Sequence, residues 1–302
     1  MQIFNQMEQL AALPAPVYWA MGFFDGVHLG HRRVIAAAQS PGTLRGVLTF
    51  DRHPLALLRP AQAPALLTPD AQYKADLIER IGRADILLRL PFTAELADTP
   101  PEEFLSTLGR YCRIAGISVG SNWRFGRGGG GTPELLQRLG KQNAFAVNIQ
   151  ELAEEGGEPV SSSRVRSELA AGCLAAVEQL LGRPFAIIGT VEHGQKLARQ
   201  LGFPTANIRP NPGAALPPYG VYRVRCMVGG IARAGIANLG LRPTIQEQEK
   251  TPRLEIHLPG WQGNLYGQRL TVELLEHLRP ERRFSTVEAL KQQMERDIAA
   301  IS

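Results

Sequence analysis

Apolar runs of strand length alternate with segments of helical period over residues 1–182, the pattern of a parallel sheet wrapped by helices. Strands are predicted at 16–21, 45–50, 84–90, 115–120 and 144–149, and helices at 30–39, 70–82, 101–112, 133–140, 163–171 and 173–181. Asp70, and Thr132 followed by Pro133 and Glu134, read as helix caps. After Gly182-Arg183-Pro184 the pattern changes to short strands at 185–191, 222–228, 231–238, 253–258 and 269–275, divided by Gly and Pro loops. That change predicts a small antiparallel β-barrel. Ser285-Thr286-Val287-Glu288 reads as a capping box opening a terminal helix that runs to about Ala300. The expected division is therefore an α/β domain over 1–182 and a barrel domain with a terminal helix over 183–302.

Length and composition support two globular cores: 302 residues, 44% hydrophobic and 20% charged. The N-terminal apolar stretch from Leu10 to Phe24 contains Pro14 and Pro16 and lacks a basic flank, so it fails as a signal peptide. No other run approaches membrane-spanning length. Cys112, Cys173 and Cys226 are widely spaced and form no CxxC, which argues against a disulfide framework and a zinc site and for a reducing cytoplasm. Charge is uneven. Residues 1–182 hold 17 Lys+Arg against 18 Asp+Glu, and residues 183–302 hold 16 against 10. A basic half concentrates anions of any kind, polyphosphates included, and without a run of five like charges a nucleic-acid patch is the weaker reading.

Candidate chemistry begins right after the first strand, at Gly22-Phe23-Phe24-Asp25-Gly26-Val27-His28-Leu29-Gly30-His31. Here a glycine-rich turn meets a helix N-terminus, where free N–H groups and the helix dipole seat a phosphate. His28 and His31, three apart across the first helical turn, can both donate to one anion. A second loop-to-helix start, Ser161-Ser162-Ser163-Arg164-Val165-Arg166, offers hydroxyls and arginines; in isolation it would be an N-cap with surface arginines.

The first of these runs resembles the phosphate-binding signature of the nucleotidylyltransferase superfamily. The second is similar to that family's Ser-Ser-Thr-x-x-Arg. Adding Thr49-Phe50-Asp51-Arg52-His53-Pro54 and Val119-Gly120-Ser121-Asn122-Trp123-Arg124-Phe125-Gly126, the chain resembles the bacterial bifunctional riboflavin kinase and FAD synthetase family. The resemblance implies a Rossmann-like N-terminal domain that adenylates FMN with ATP. It gives His28 and His31 a catalytic role, Gly22, Phe24, Asp25, Gly26, Gly30, Ser162, Ser163 and Arg166 to the nucleotide, and Asn122 and Phe125 to the flavin. Ser163 stands where the family commonly has Thr, and Arg52 where Pro is frequent. Relatives often carry a charged or polar residue at the place of Gly129 and an Asp at that of Thr132, in the loop 127–132. That departure keeps open a second reading, a riboflavin kinase whose N-terminal domain is degenerate or regulatory.

In the second half the resemblance rests on the run 189–207, with Gly220-Val221-Tyr222, Ala237-Asn238-Leu239-Gly240-Leu241-Arg242-Pro243-Thr244, Leu254-Glu255-Ile256-His257-Leu258, Leu265-Tyr266-Gly267 and the segment 278–284. It is similar to riboflavin kinase. The glycines let a loop fold over phosphates, Lys196 and Arg199 supply charge, and Thr205 and Asn207 offer neutral oxygens to a hard cation. In isolation Pro204-Thr205-Ala206-Asn207 would be a turn. By resemblance Glu255 is the general base, while Gly194, Lys196, Arg199, Gly202, Pro204, Thr205 and Asn207 bind ATP. Thr205 and Asn207 also hold Mg²⁺, and Arg279 and Phe284 contact the flavin. The implied partners are riboflavin, FMN, FAD and ATP, with no membrane and no specific nucleic acid. A flavin- or nucleic-acid-binding regulator without catalysis leaves the Thr205, Asn207 and Glu255 set without a use. The sequence sets no oligomeric state.

Overall fold

The computed structural model describes residues 1–192, 203–241, 251–282 and 284–301. The chain forms two compact units, Met1–Ser162 and Ser163–Ser302. The first contains β1 (Gln2–Phe4), β2 (Val17–Met21), α1 (Leu29–Ala36), β3 (Leu44–Phe50), α2 (Pro54–Leu58), α3 (Ala71–Gly82), β4 (Ile86–Leu90), α4 (Ala94–Asp98), α5 (Pro101–Tyr111), β5 (Ile114–Gly120), α6 (Pro133–Gln142) and β6 (Ala146–Gln150), then a small hairpin of β7 (Glu154–Glu155) and β8 (Glu158–Pro159).

The long strands form one parallel sheet in the order β1-β4-β3-β2-β5-β6. All five residues of β2 are buried, as a central parallel strand with both faces covered requires. Trp19, Leu48, Leu88 and Ile117 of the sheet pack with Phe104 and Leu108 of α5 and Leu136 of α6. The chain leaves β2 toward β3 and β4, then returns to lay β5 on the opposite side of β2. In open α/β sheets, ligands bind beyond the carboxyl ends of strands at such a switch point. The segments that leave it are Gly22–His31 after β2 and Ser121–Phe125 after β5.

Asp70 and Thr132 cap α3 and α6 as the sequence predicts, accepting from Tyr73 N–H (2.7 Å) and Leu135 N–H (3.2 Å). Helix α1 ends earlier than the predicted 39. Its end is tied to that of α3 by Arg45, whose guanidinium donates to Ala38 O (3.4 Å) and Gly82 O (3.0 Å). A cation at two helix C-termini satisfies carbonyls and complements both dipoles. Arg45→Ala should therefore lower the stability of this unit by about 1–3 kcal/mol, read as a lower urea midpoint at unchanged slope.

Helix α7 (Ser162–Ala170) belongs to the second unit from Ser163 onward and is followed by α8 (Leu174–Leu181), which Gly182 ends in the left-handed conformation. It continues through β9 (Phe185–Glu192), β10 (Thr205–Ile208), β11 (Gly220–Val228), β12 (Ile231–Leu241), β13 (Pro252–His257) and β14 (Arg269–Pro280) to α9 (Val287–Ala299). The strands close into an antiparallel barrel in the order β10-β13-β12-β11-β14-β9. Strand β10 was not among the predicted strands. Its residues lie in what reads as a turn, but it supplies the edge that pairs both β9 and β13 and closes the barrel. The predicted capping box is shifted by one residue: Thr286, not Ser285, is the N-cap and accepts Ala289 N–H at 3.1 Å. Glu288 therefore falls short of the position from which it could answer the cap. Among the described residues no helix is long and apolar enough to cross a membrane.

Candidate active sites

Between β2 and α1 the chain turns sharply. Phe24, Gly26 and Val27 take φ of 55°, 81° and 43°, a region that bulky L-residues enter only when their surroundings force it. The buried Asp25 carboxylate is one such support. It accepts from Leu67 N–H (3.1 Å), Thr68 N–H (2.9 Å) and the Thr68 hydroxyl (3.2 Å), and Gly26 N–H donates to the same hydroxyl (3.0 Å). Asp25 therefore braces the turn from beneath with its side chain. Ser162 reaches the turn from far along the chain, its hydroxyl donating to Asp25 O at 2.9 Å. Ser163 and Arg166 follow on the first turns of α7.

His28 is the N-cap of α1, its Nδ1 accepting His31 N–H at 3.3 Å. That bond leaves the imidazole proton on Nε2, so the ring is a donor at its far edge. The His31 ring stacks on it at 3.6 Å and 20°, which sets the two imidazoles side by side at the helix N-terminus. Gly30 makes room for this: a Cβ there would lie 3.1 Å from His28 Cε1. Gly22 opens the segment, just beyond β2.

At the neighbouring strand end Asn122 is exposed, whereas Phe125 is 8% exposed and belongs to the core. Phe125 stacks on the half-buried Trp123 at 4.4 Å and 13°, so Trp123 is the more accessible of the two rings. The glycine loop that follows is a defined turn. Gly126, Gly128 and Gly129 have φ of 68°, 63° and 68°, and a Cβ on Gly131 would meet the Phe125 ring at 2.3 Å. Side chains at these places would strain or displace the loop.

The sequence motifs give no part to Lys74. Lys74 projects from the inner face of α3 beneath the turn, donating to Thr49 Oγ1 at 3.0 Å. A lysine within the stripe made by Tyr73, Leu77 and Ile78 was the available signal.

In the barrel, register does the positioning. Glu255 on β13 lies opposite Asn207 of β10 on one side and Asn238 of β12 on the other. Directly opposed residues share a face, so a half-buried carboxylate stands between two amides. Asn238 in turn donates to Glu281 Oε1 at 3.1 Å. His257 Nδ1 lies 2.9 Å from Pro204 O and Phe203 packs edge-on against its ring, which fixes the entry to β10. Beside this row is a cavity of about 490 Å³ whose wall includes Thr205, Asn207, Trp261, Asn264 and Tyr266. The sequence reading gave no part to Trp261 or Asn264.

Asn207 is 5% exposed, and its Oδ1 is buried without a hydrogen-bond partner among the described residues. A buried amide oxygen in that state lacks the partner such groups ordinarily have, and a hard cation drawn to oxygen ligands would supply one. Gly194, Lys196, Arg199 and Gly202 lie outside the described residues, as do Arg242, Pro243, Thr244 and Arg283. Arg279 is engaged with α9, its guanidinium meeting the Asp297 carboxylate at 2.7–3.2 Å. The Phe284 ring lies 5.9 Å from Arg279 Cζ and 4.7 Å from Arg282 Cζ.

A glycine-rich turn and helix N-terminus at the switch point of a parallel sheet, carried in one chain with a barrel that sets a carboxylate between amides beside a cavity, suits a two-unit enzyme that transfers phosphate and nucleotide groups. Residues 11–164 match the family model described as FAD synthetase and residues 181–302 the one described as riboflavin kinase. A protein named bifunctional riboflavin kinase/FMN adenylyltransferase from Pseudomonas fluorescens is 38% identical over 285 residues, covering 93% of this chain and 90% of that one. Its namesake from Escherichia coli (strain K12) is 38% identical over 283 residues, covering 92% and 89%. The chain belongs to the bifunctional riboflavin kinase/FMN adenylyltransferase family. A crystal structure described as a macrolide-efflux protein from Streptococcus pneumoniae shares the fold, with a TM-score of 0.87 at 24% identity over 100% of this chain and 99% of that one.

Proposed function

We propose that this chain converts riboflavin to FMN with ATP in residues 183–302 and FMN to FAD with ATP in residues 1–182, as a cytoplasmic enzyme that uses Mg²⁺. The observation that carries the reading is that residues 11–164 match the FAD synthetase family model and residues 181–302 the riboflavin kinase one, in a single chain.

In the barrel, the ribityl 5′-hydroxyl oxygen attacks the γ-phosphorus of ATP, Glu255 takes the hydroxyl proton, and ADP leaves. A base so placed contributes about 10²–10⁴ in rate. Thr205 and Asn207 would hold magnesium, which when bound neutralises phosphate charge; the orphaned Asn207 oxygen supports that assignment. Asn207 and Asn238 flank the base and orient it. Phe284 borders the flavin, and Arg279 ties β14 to α9 through Asp297.

In the α/β unit, a phosphate oxygen of FMN attacks the α-phosphorus of ATP and pyrophosphate leaves. No side chain need form a covalent bond. The His28 Nε2–H, the His31 ring and the backbone N–H groups opening α1 stabilise the charge on the phosphates, and alignment of the two substrates does the rest. Ser162, Ser163 and Arg166 hold the nucleotide. Asn122 and the Trp123 and Phe125 pair border the flavin, with Trp123 offering the exposed ring.

Supplying FMN instead of riboflavin tests the adenylyl half alone. With ATP and magnesium, FAD and pyrophosphate should appear in equal amounts. ADP release without FAD would contradict the assignment.

A further inference from the structure

The 24–27 turn is strained, and Asp25 and Ser162 brace it on one side. Another support starts at Lys74, which is 7% exposed. Its side-chain hydrogen bond and its ring contact both lead toward the turn. Its Nζ donates to Thr49 Oγ1 (3.0 Å) and lies 4.0 Å from the centre of the Phe23 ring. The Thr49 hydroxyl passes its own proton to Phe23 O (2.8 Å). Because the peptide is planar and trans, fixing the Phe23 carbonyl toward Thr49 points the Phe24 N–H in the opposite direction within the same plane. Lys74 and Thr49 thus set the orientation of the first peptide of the phosphate turn.

An apolar side chain would fill this place in α3 without the penalty of burying an ammonium. A cation kept there has an electrostatic use, since a buried charge is poorly screened and acts strongly on nearby phosphate. We propose that Lys74 is a positioning residue for adenylyl transfer, its buried cation holding the turn through Thr49 and lending the phosphate seat a positive field. The proposal rests on assigning adenylyl transfer to this unit.

Burial pulls the Lys74 ammonium down to about 7, the Asp25 carboxylate opposing that shift and Arg89 of β4 adding to it. His53, edge-on to Phe23 at 4.9 Å, is a further titratable group against the same ring. The cation is therefore present below about pH 7 and lost as pH rises through that value. The native state carries the burden of the buried charge in the acid range, so removing the side chain should not weaken folding there.

The test follows FAD formation from FMN and ATP by wild type, K74M and T49V between about pH 6 and about pH 9, with FMN formation from riboflavin measured on the same preparations. Wild-type adenylylation should decline as pH rises through about 7. K74M should lower kcat/KM at acid pH by about 10–100-fold, abolish the decline, leave FMN formation unchanged, and melt no lower than wild type below pH 7. T49V leaves the ammonium without its acceptor and should move the decline to lower pH. Wild-type kcat/KM and pH dependence in K74M would overturn the proposal. Should K74M fail to fold, the same result in T49V would overturn it, while a decline moved to lower pH would sustain it. A wild type that makes no FAD from FMN would overturn the adenylyl assignment and this proposal with it.

Discussion

Glu255→Gln should reduce FMN formation by about 10²–10⁴ while the barrel stays folded. The amide keeps the size and shape of the carboxylate but cannot take the ribityl proton. Its position makes folding tolerant of the change. Glu255 is half-buried on β13, in a row with Asn207 and Asn238, so a third amide finds donors and acceptors on both sides. If Glu255 acts only as a base, the loss falls on kcat and leaves the KM for ATP near its wild-type value. FAD formation from supplied FMN should be untouched in the same protein. Equal losses of both activities would point to a folding defect, and normal FMN formation would remove Glu255 from the chemistry.

The second large effect is expected at His28. His28→Ala removes the Nε2–H donor and the N-cap of α1 together. Loss of one preorganised donor to developing phosphate charge is worth about 10²–10³ in rate, and loss of an N-cap about 0.5–2 kcal/mol in stability. His28→Asn separates the two, because Asn is a strong N-cap yet its amide is too short to reach where the imidazole edge lies. Both variants should lose FAD synthesis and keep FMN synthesis; the Asn variant should recover the stability. Adenylation that returned with the cap would reduce His28 to a structural role.

Much of this was legible in the sequence because the central elements obey simple periods. The strand predicted at 16–21 is β2, and the motif after it lands at the switch point of the sheet, the place where open α/β sheets bind ligands. What stayed hidden has identifiable causes. Strand β1 spans three residues and α2 and α4 five each, too short for any period to register. Strand β10 follows Pro204 inside a glycine-rich run, so the only signal it offered was that of a turn, although its partners Glu255 and Glu192 are distant in sequence. By resemblance Asp25 belongs to the nucleotide site, and what the sequence does not show is that its carboxylate accepts from backbone N–H groups more than forty positions away, a pairing no local pattern carries. Lys74 was overlooked for the opposite reason: one lysine in an amphipathic stripe looks like noise until its acceptor is known. The glycine run 128–131 is the reverse case, since composition suggests a slack loop and the backbone angles define a turn.

The central claim is that one chain performs both steps in sequence, and a single time course tests it. Purified protein is given riboflavin, ATP and magnesium, and the flavins are separated chromatographically at intervals. FMN should rise first and then give way to FAD. FMN that accumulates with no FAD would contradict the adenylyl half of the account, and riboflavin that remains unchanged would contradict it altogether.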